Sequence, residues 1–106
     1  MRKRVALLPD DQTQMVILGH CLRAARLRRN WSQEEIARRA GVNRKTYASL
    51  EAGDSGVSIG CLMSVMAILG YPERLATIMD ADPIGGDIEV DIGRQRSSRV
   101  SDVADF

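Results

Sequence analysis

SQEEIARRAGVNRKTYASLEAG, from Ser32 to Gly53, holds two short helix-like segments on either side of Gly41. Ser32-Gln33-Glu34-Glu35 has the spacing of a capping box, in which the Ser32 hydroxyl takes the third backbone amide and Glu35 reaches back. Trp31 before it and Ile36 after it are placed as a hydrophobic staple. These signals predict a helix over 33–40. Gly41 ends it, because a sharp turn needs a residue that accepts positive φ without steric cost. Asn43 can cap the next helix, over 44–51, which Gly53 terminates. Ala37 is small enough for the two helices to approach, with Ala40, Val42, Tyr47 and Leu50 filling the space around it. Two short helices crossing steeply through such a turn make a helix-turn-helix.

The flanks extend the pattern in both directions. Upstream, Asp10 or Asp11 is expected to cap a helix over 10–29, with Met15, Leu18, Leu22, Ala25 and Arg26 on one stripe and Asn30 as the breaker. Downstream, Ser58 opens a helix over 59–69 carrying Ile59, Leu62, Met66 and Leu69, and Gly70 stops it. Pro72 suits the first turn of a fifth helix over 73–79 with Leu75, Ile78 and Met79. After Asp80 the character changes. DADPIGG reads as a linker, and Ile88, Val90 and Ile92 alternate with acidic residues in strand fashion. The expected fold class is therefore all-α: a five-helix bundle over residues 1–80 with a tail over 81–106. A strand at 88–92 would need a partner, either a second subunit or another protein, because an isolated strand is unstable; without one, the segment between Gly85-Gly86 and Gly93 is a flexible acidic tail.

Composition limits the function. The 106 residues suit one domain, and with 44% hydrophobic but only 4% aromatic residues the core must be aliphatic. No run of about 18 apolar residues is present, so no membrane span is expected. The start, MRKRVALLPDD, begins like a signal peptide, but its apolar run is too short and ends at Pro9. Cys21 and Cys61 form no CxxC pair and read as reduced, buried packing residues of a cytoplasmic protein. Met15, Met63, Met66 and Met79 read as core filler. His20 and the two cysteines lack a ligand spacing, so no metal and no cofactor are expected. No nucleophile–base pair or phosphate loop points to an enzyme.

Net charge is +1, yet Arg23–Lys45 holds eight basic residues against two acidic ones, Glu34 and Glu35. That local excess fits a polyanion footprint, and it equally fits a solvated helix face. The helix-turn-helix separates the two readings. Its second helix is the one that enters the DNA major groove, N-terminal residues at the base edges. Arg44 and Lys45 open that helix, and an arginine can pair bidentately with guanine. Thr46 and Ser49 can hydrogen-bond bases or phosphates, and Asn43 can add a phosphate contact to its capping role.

With these residues assembled, the chain resembles the Xre family, helix-turn-helix regulators with the lambda-repressor-like fold. The likeness covers about Leu18 to Met79 and rests on Leu22, Arg26, Trp31-Ser32-Gln33, Ile36-Ala37, Gly41-Val42, Leu50-Glu51 and Gly53, then GVSIGCLMSVMAILG. It implies that Gln33 contacts phosphate and that Arg26 and Glu51 form a partly buried structural ion pair. Tyr47 departs from the family's usual Ile or Val, so its hydroxyl needs a partner or an exit to the surface. A narrower likeness, over GVSIGCLMSVMAILGYPERLATIM and the basic RQRSSRV, is to HipB-type antitoxins. Because one short recognition helix reads few bases, a homodimeric repressor on palindromic DNA is expected, with the fifth helix and Ile88–Ile92 as its contacts; the HipB likeness implies that it also binds a HipA-like kinase toxin. A stand-alone or phage-type regulator, or an interaction module that lost DNA binding, are the alternatives. Arg44 and Lys45 argue against the last.

Overall fold

The computed structural model of the protein describes residues 4–85, which are helical with no strand among them. Four α-helices follow one another: α1 (Pro9–Arg28), α2 (Gln33–Ala40), α3 (Arg44–Glu51) and α4 (Ile59–Leu69), with a 3-10 turn at Pro83–Gly85. The chain divides into two compact units, one ending at Leu75 and one beginning at Ala76. In the first, α2 packs on α4 and α3, and α1 packs on α3. Their shared core is Leu22, Ile36, Ala37, Tyr47, Leu50, Cys61, Val65 and Leu69, all buried.

Local chemistry sets most helix ends. The Ser32 hydroxyl accepts from the Glu35 amide at 3.0 Å, Asn43 Oδ1 from the Lys45 amide at 2.8 Å, and the Ser58 hydroxyl from the Cys61 amide at 3.1 Å. Each satisfies an amide that the first helical turn leaves without an intrahelical partner. Gly41 sits at φ 71°, and the Val42 and Gly41 amides donate to the Ala37 and Arg38 carbonyls at 2.9 and 3.2 Å. This is a Schellman closure. A Cβ on Gly41 would meet nothing within 4 Å, so glycine is required there by backbone angle and not by crowding.

Gly19 shows the opposite case. It is buried in α1, and a Cβ there would lie 2.2 Å from the Glu51 carbonyl oxygen. Its missing side chain lets α1 press against the C-terminal end of α3. No feature of the helical stripe identified this contact.

Several expectations need correction. Neither Asp10 nor Asp11 caps α1. The helix starts at Pro9, whose absent amide and preset φ suit the first position, and the two aspartates occupy the first turn near the positive end of the helix dipole. Glu35 does not complete the capping box, because its carboxylate is taken by Arg38 and by Arg39 Nε, the latter at 2.7 Å. Two cations one turn away outcompete a neutral amide. Cys21 is exposed, since it lies one residue off the buried stripe at Leu22, about 100° around the helix.

The fifth helix does not form either: residues 72–79 make successive turns, with i to i−3 bonds from Arg74 to Tyr71 and from Asp80 to Thr77. Seven residues are too few for a helix to stand without a packed face, and Ile78 and Met79 are 66% and 70% exposed. Met79 is accordingly not core filler. The expected strand at 88–92 lies outside the described residues.

Candidate nucleic-acid interface

α3 carries two faces with different chemistry. Tyr47, Leu50 and Glu51 are buried, while Arg44, Lys45 and Thr46 are exposed and Ser49 is half-buried. The buried face is braced by charge. Arg26 donates from Nε to Glu51 Oε2 at 2.8 Å and from Nη2 to Oε1 at 3.0 Å, a bidentate grip, and from Nη1 to the Trp31 carbonyl at 2.8 Å. One guanidinium thus joins α1, the segment leading into α2, and the last residue of α3. Burial by itself would raise the Glu51 pKa, but the polar groups around it, the Arg26 guanidinium foremost, outweigh burial and hold the carboxyl below its ordinary value.

Gln33 is part of this brace. Its Nε2 donates to Glu51 Oε1 at 3.2 Å. The second hydrogen on that nitrogen is left for another acceptor, so a phosphate contact and the bond to Glu51 are compatible. Tyr47 is fully buried, and no hydrogen bond reaches its Oη among the described residues. Burial first, and then the Glu51 carboxylate beside it, raise the phenol's pKa above the ordinary value. The hydroxyl has found neither a partner nor an exit.

The basic cluster also divides. Arg29 donates to the Ala25 and Leu69 carbonyls at 2.7 and 2.8 Å. Arg38 and Arg39 pair with Glu35, and the Arg39 guanidinium lies 4.6 Å from the centre of the Trp31 ring. Together with Arg26, four of the eight cations are engaged in holding the fold. Arg44 and Lys45 make no ion pair or side-chain hydrogen bond among the described residues. They stand with Thr46 on the first turn of α3, on one exposed surface. Asn43 sits just before them, its side chain committed to the cap.

Sequence reasoning missed Arg4 and Asp54. Arg4 Nε lies 2.9 Å from Asp54 Oδ1, on the loop that follows α3. The two residues are far apart in the chain, and neither belongs to a local motif. Among the described residues no group of three or more His, Cys, Asp or Glu side chains is placed to hold a metal ion, and no helix is long and apolar enough to cross a membrane.

Residues 17–78 match the family model of a helix-turn-helix domain. The chain belongs to that family. It is also 32% identical over 65 residues to a protein of Neisseria meningitidis serogroup B (strain ATCC BAA-335 / MC58) named "Neisseria hypothetical transcription factor". The match takes in 61% of this chain and spans 61% of the length of that curated relative. The matched region of the family contains all of α2, α3 and α4 and the part of α1 that supplies Gly19, Leu22 and Arg26.

Proposed function

We propose that this helix-turn-helix protein is a DNA-binding transcription regulator that reads the major groove with α3. The observation that carries the reading is the contrast within one short helix. Its C-terminal end is locked by Arg26 through Glu51, while its first turn offers two cations, Arg44 and Lys45, that have no partner among the described residues. Cations at the start of a rigidly held helix are what base-edge recognition requires. The relative named as a transcription factor supports the same role.

Arg44 is proposed to read a base, and Lys45, Thr46 and Ser49 to contact bases or backbone. Gln33 and Asn43, at the starts of α2 and α3, set register on phosphates. A helix of eight residues reads few base pairs, so we propose a homodimeric repressor on a palindromic site, with half-sites roughly 34–36 Å apart. The finer assignment, an antitoxin that binds a HipA-like kinase toxin and represses their shared operon, rests on the sequence likeness over residues 56–79 and the basic tail. A kinase-like reading frame beside the gene would support it, and co-purification of that kinase with the full chain would test it. A stand-alone regulator is the outcome if neither is found.

Selection of binding sites from a random duplex library by the full chain tests the central claim. Palindromic sequences should be recovered. Against the selected site, Arg44→Ala should cost roughly 1–3 kcal/mol and relax preference at one base position. Changing Gln33 should weaken binding to every sequence alike. An Arg44→Ala variant that weakens all sequences equally would remove it as a base reader.

A further inference from the structure

Beside α3 lies a cleft of about 480 Å³, lined by Thr46 and Ser49 of the helix, Asp54, Gly56 and Ser58 beyond it, and Arg4. Arg4 arrives there because the Ser55 hydroxyl donates to the Val5 carbonyl at 2.6 Å, fastening the segment before α1 to the loop after α3. Asp54 Oδ1 holds two groups at once, the Gly56 amide at 2.7 Å and Arg4 Nε at 2.9 Å. A Cβ on Gly56 would lie 3.1 Å from Asp54 Oδ1, a tight contact, and 3.4 Å from Arg4 Cγ.

The closest approach of Arg4 to Asp54 is through Nε. Its two terminal nitrogens donate no hydrogen bond among the described residues. That leaves intact the flat two-nitrogen edge with which a guanidinium binds phosphate oxygens bidentately. Thr46 and Ser49 line the same cleft, and their hydroxyls are phosphate donors by chemistry. The Arg4–Asp54 pair is also a poor candidate for holding the fold, with its side chains 70% and 20% exposed.

We propose that this cleft takes a backbone phosphate of duplex DNA, bound by Arg4 with the Thr46 and Ser49 hydroxyls. Asp54 is a positioning residue that keeps Arg4 at the edge of α3. The inference rests on the DNA-binding reading above and adds a contact from outside the helix-turn-helix.

The test uses the full chain and a random-sequence duplex of about 20 base pairs, followed by fluorescence anisotropy over a range of salt, since backbone contacts do not depend on sequence. Arg4→Ala should lose roughly tenfold in affinity and lower the salt slope by about one. Arg4→Lys keeps the charge without the flat edge and should recover only part of the loss. Asp54→Asn preserves the acceptor for the Gly56 amide and gives the decisive reading. It should weaken the otherwise unaltered protein severalfold yet strengthen the Arg4→Ala variant, where the carboxylate only repels. Thermal melting of all variants should stay close to that of the parent.

Asp54→Asn strengthening both backgrounds, or an unchanged Arg4→Ala, would overturn the proposal. Competition by millimolar inorganic phosphate at matched ionic strength would overturn it as well, by making the cleft a free-anion site. If the parent protein binds the duplex and Arg44→Ala weakens it while Arg4→Ala does not, this inference falls alone. If the parent does not bind DNA at all, both readings fall.

Discussion

Two arginine–carboxylate pairs bracket the end of α3, and they differ in nearly everything except composition. In Arg26–Glu51 the side chains are 9% and 5% exposed, three donors of the guanidinium are used, and Gln33 adds a fourth bond to the cluster. In Arg4–Asp54 the closest contact is Nε to Oδ1, and the arginine lies mostly in solvent. An ion pair out of water cannot release one partner without stranding the other as a buried charge. A pair in water can exchange partners at little cost. The first is therefore suited to fixing where α3 points, and the second to meeting something that arrives from outside.

The largest test of this contrast is stability. Arg26→Ala should destabilise the protein by about 3–5 kcal/mol, because Glu51 is left buried and unpaired, whereas Arg4→Ala should change stability by less than about 1 kcal/mol. Urea denaturation with a common slope measures both. Replacing Arg26 and Glu51 together by apolar residues of similar volume should recover much of the loss while still impairing DNA affinity, since orientation and not stability would then be missing. Equal losses from the two single variants would erase the distinction between the pairs.

Acid should act on the buried pair next. Glu51 has its folded pKa held below the ordinary value of 4.5, so its contribution is fully present above that pH. As pH falls through the depressed folded value the carboxylate is protonated and the contribution disappears. Stability of the parent should therefore drop on acidification below about pH 4.5, and the drop should be shallower in Glu51→Gln. Denaturant midpoints taken at several acidic pH values give the profile. Identical profiles would mean that other carboxylates dominate.

The smallest effect concerns the Tyr47 hydroxyl beside the buried pair, which has no hydrogen-bond partner among the described residues. Removing the Tyr47 hydroxyl deletes a buried polar atom without a hydrogen bond, so Tyr47→Phe should be neutral or stabilising by up to about 1 kcal/mol. A clear loss in the same denaturation assay would show that Oη is engaged with Glu51 or Arg26 after all.

Much of this could be read before any coordinates. The helices over 33–40, 44–51 and 59–69 have the expected bounds, and the first is displaced by one residue. Their ends are governed by chemistry within a few positions: a hydroxyl or amide side chain two or three residues before its amide, and a glycine where φ must be positive. The buried Arg26–Glu51 pair was also legible, through the family likeness and because Arg26 interrupts an otherwise apolar stripe. The separation of α3 into a buried and an exposed side follows from its helical period alone.

Tertiary structure decided what depends on residues distant in sequence. Whether 73–79 would be helical turned on a packed face that local propensity cannot supply, and Ile78 and Met79 have none. Glu35 had to choose between an amide and two cations, and Gln33 turned its amide to Glu51 only once α2 and α3 had met. Gly19 is tolerated nowhere better than alanine by helix propensity, yet here the Glu51 carbonyl occupies the space a Cβ would need. Arg4 and Asp54 lie fifty positions apart with no motif between them, and only the folding of the chain start onto the loop after α3 brings them together. Caps and periodicity act over a few residues and can be read from the chain. The partner of a charge, or of a missing Cβ, is set by which surfaces come to touch.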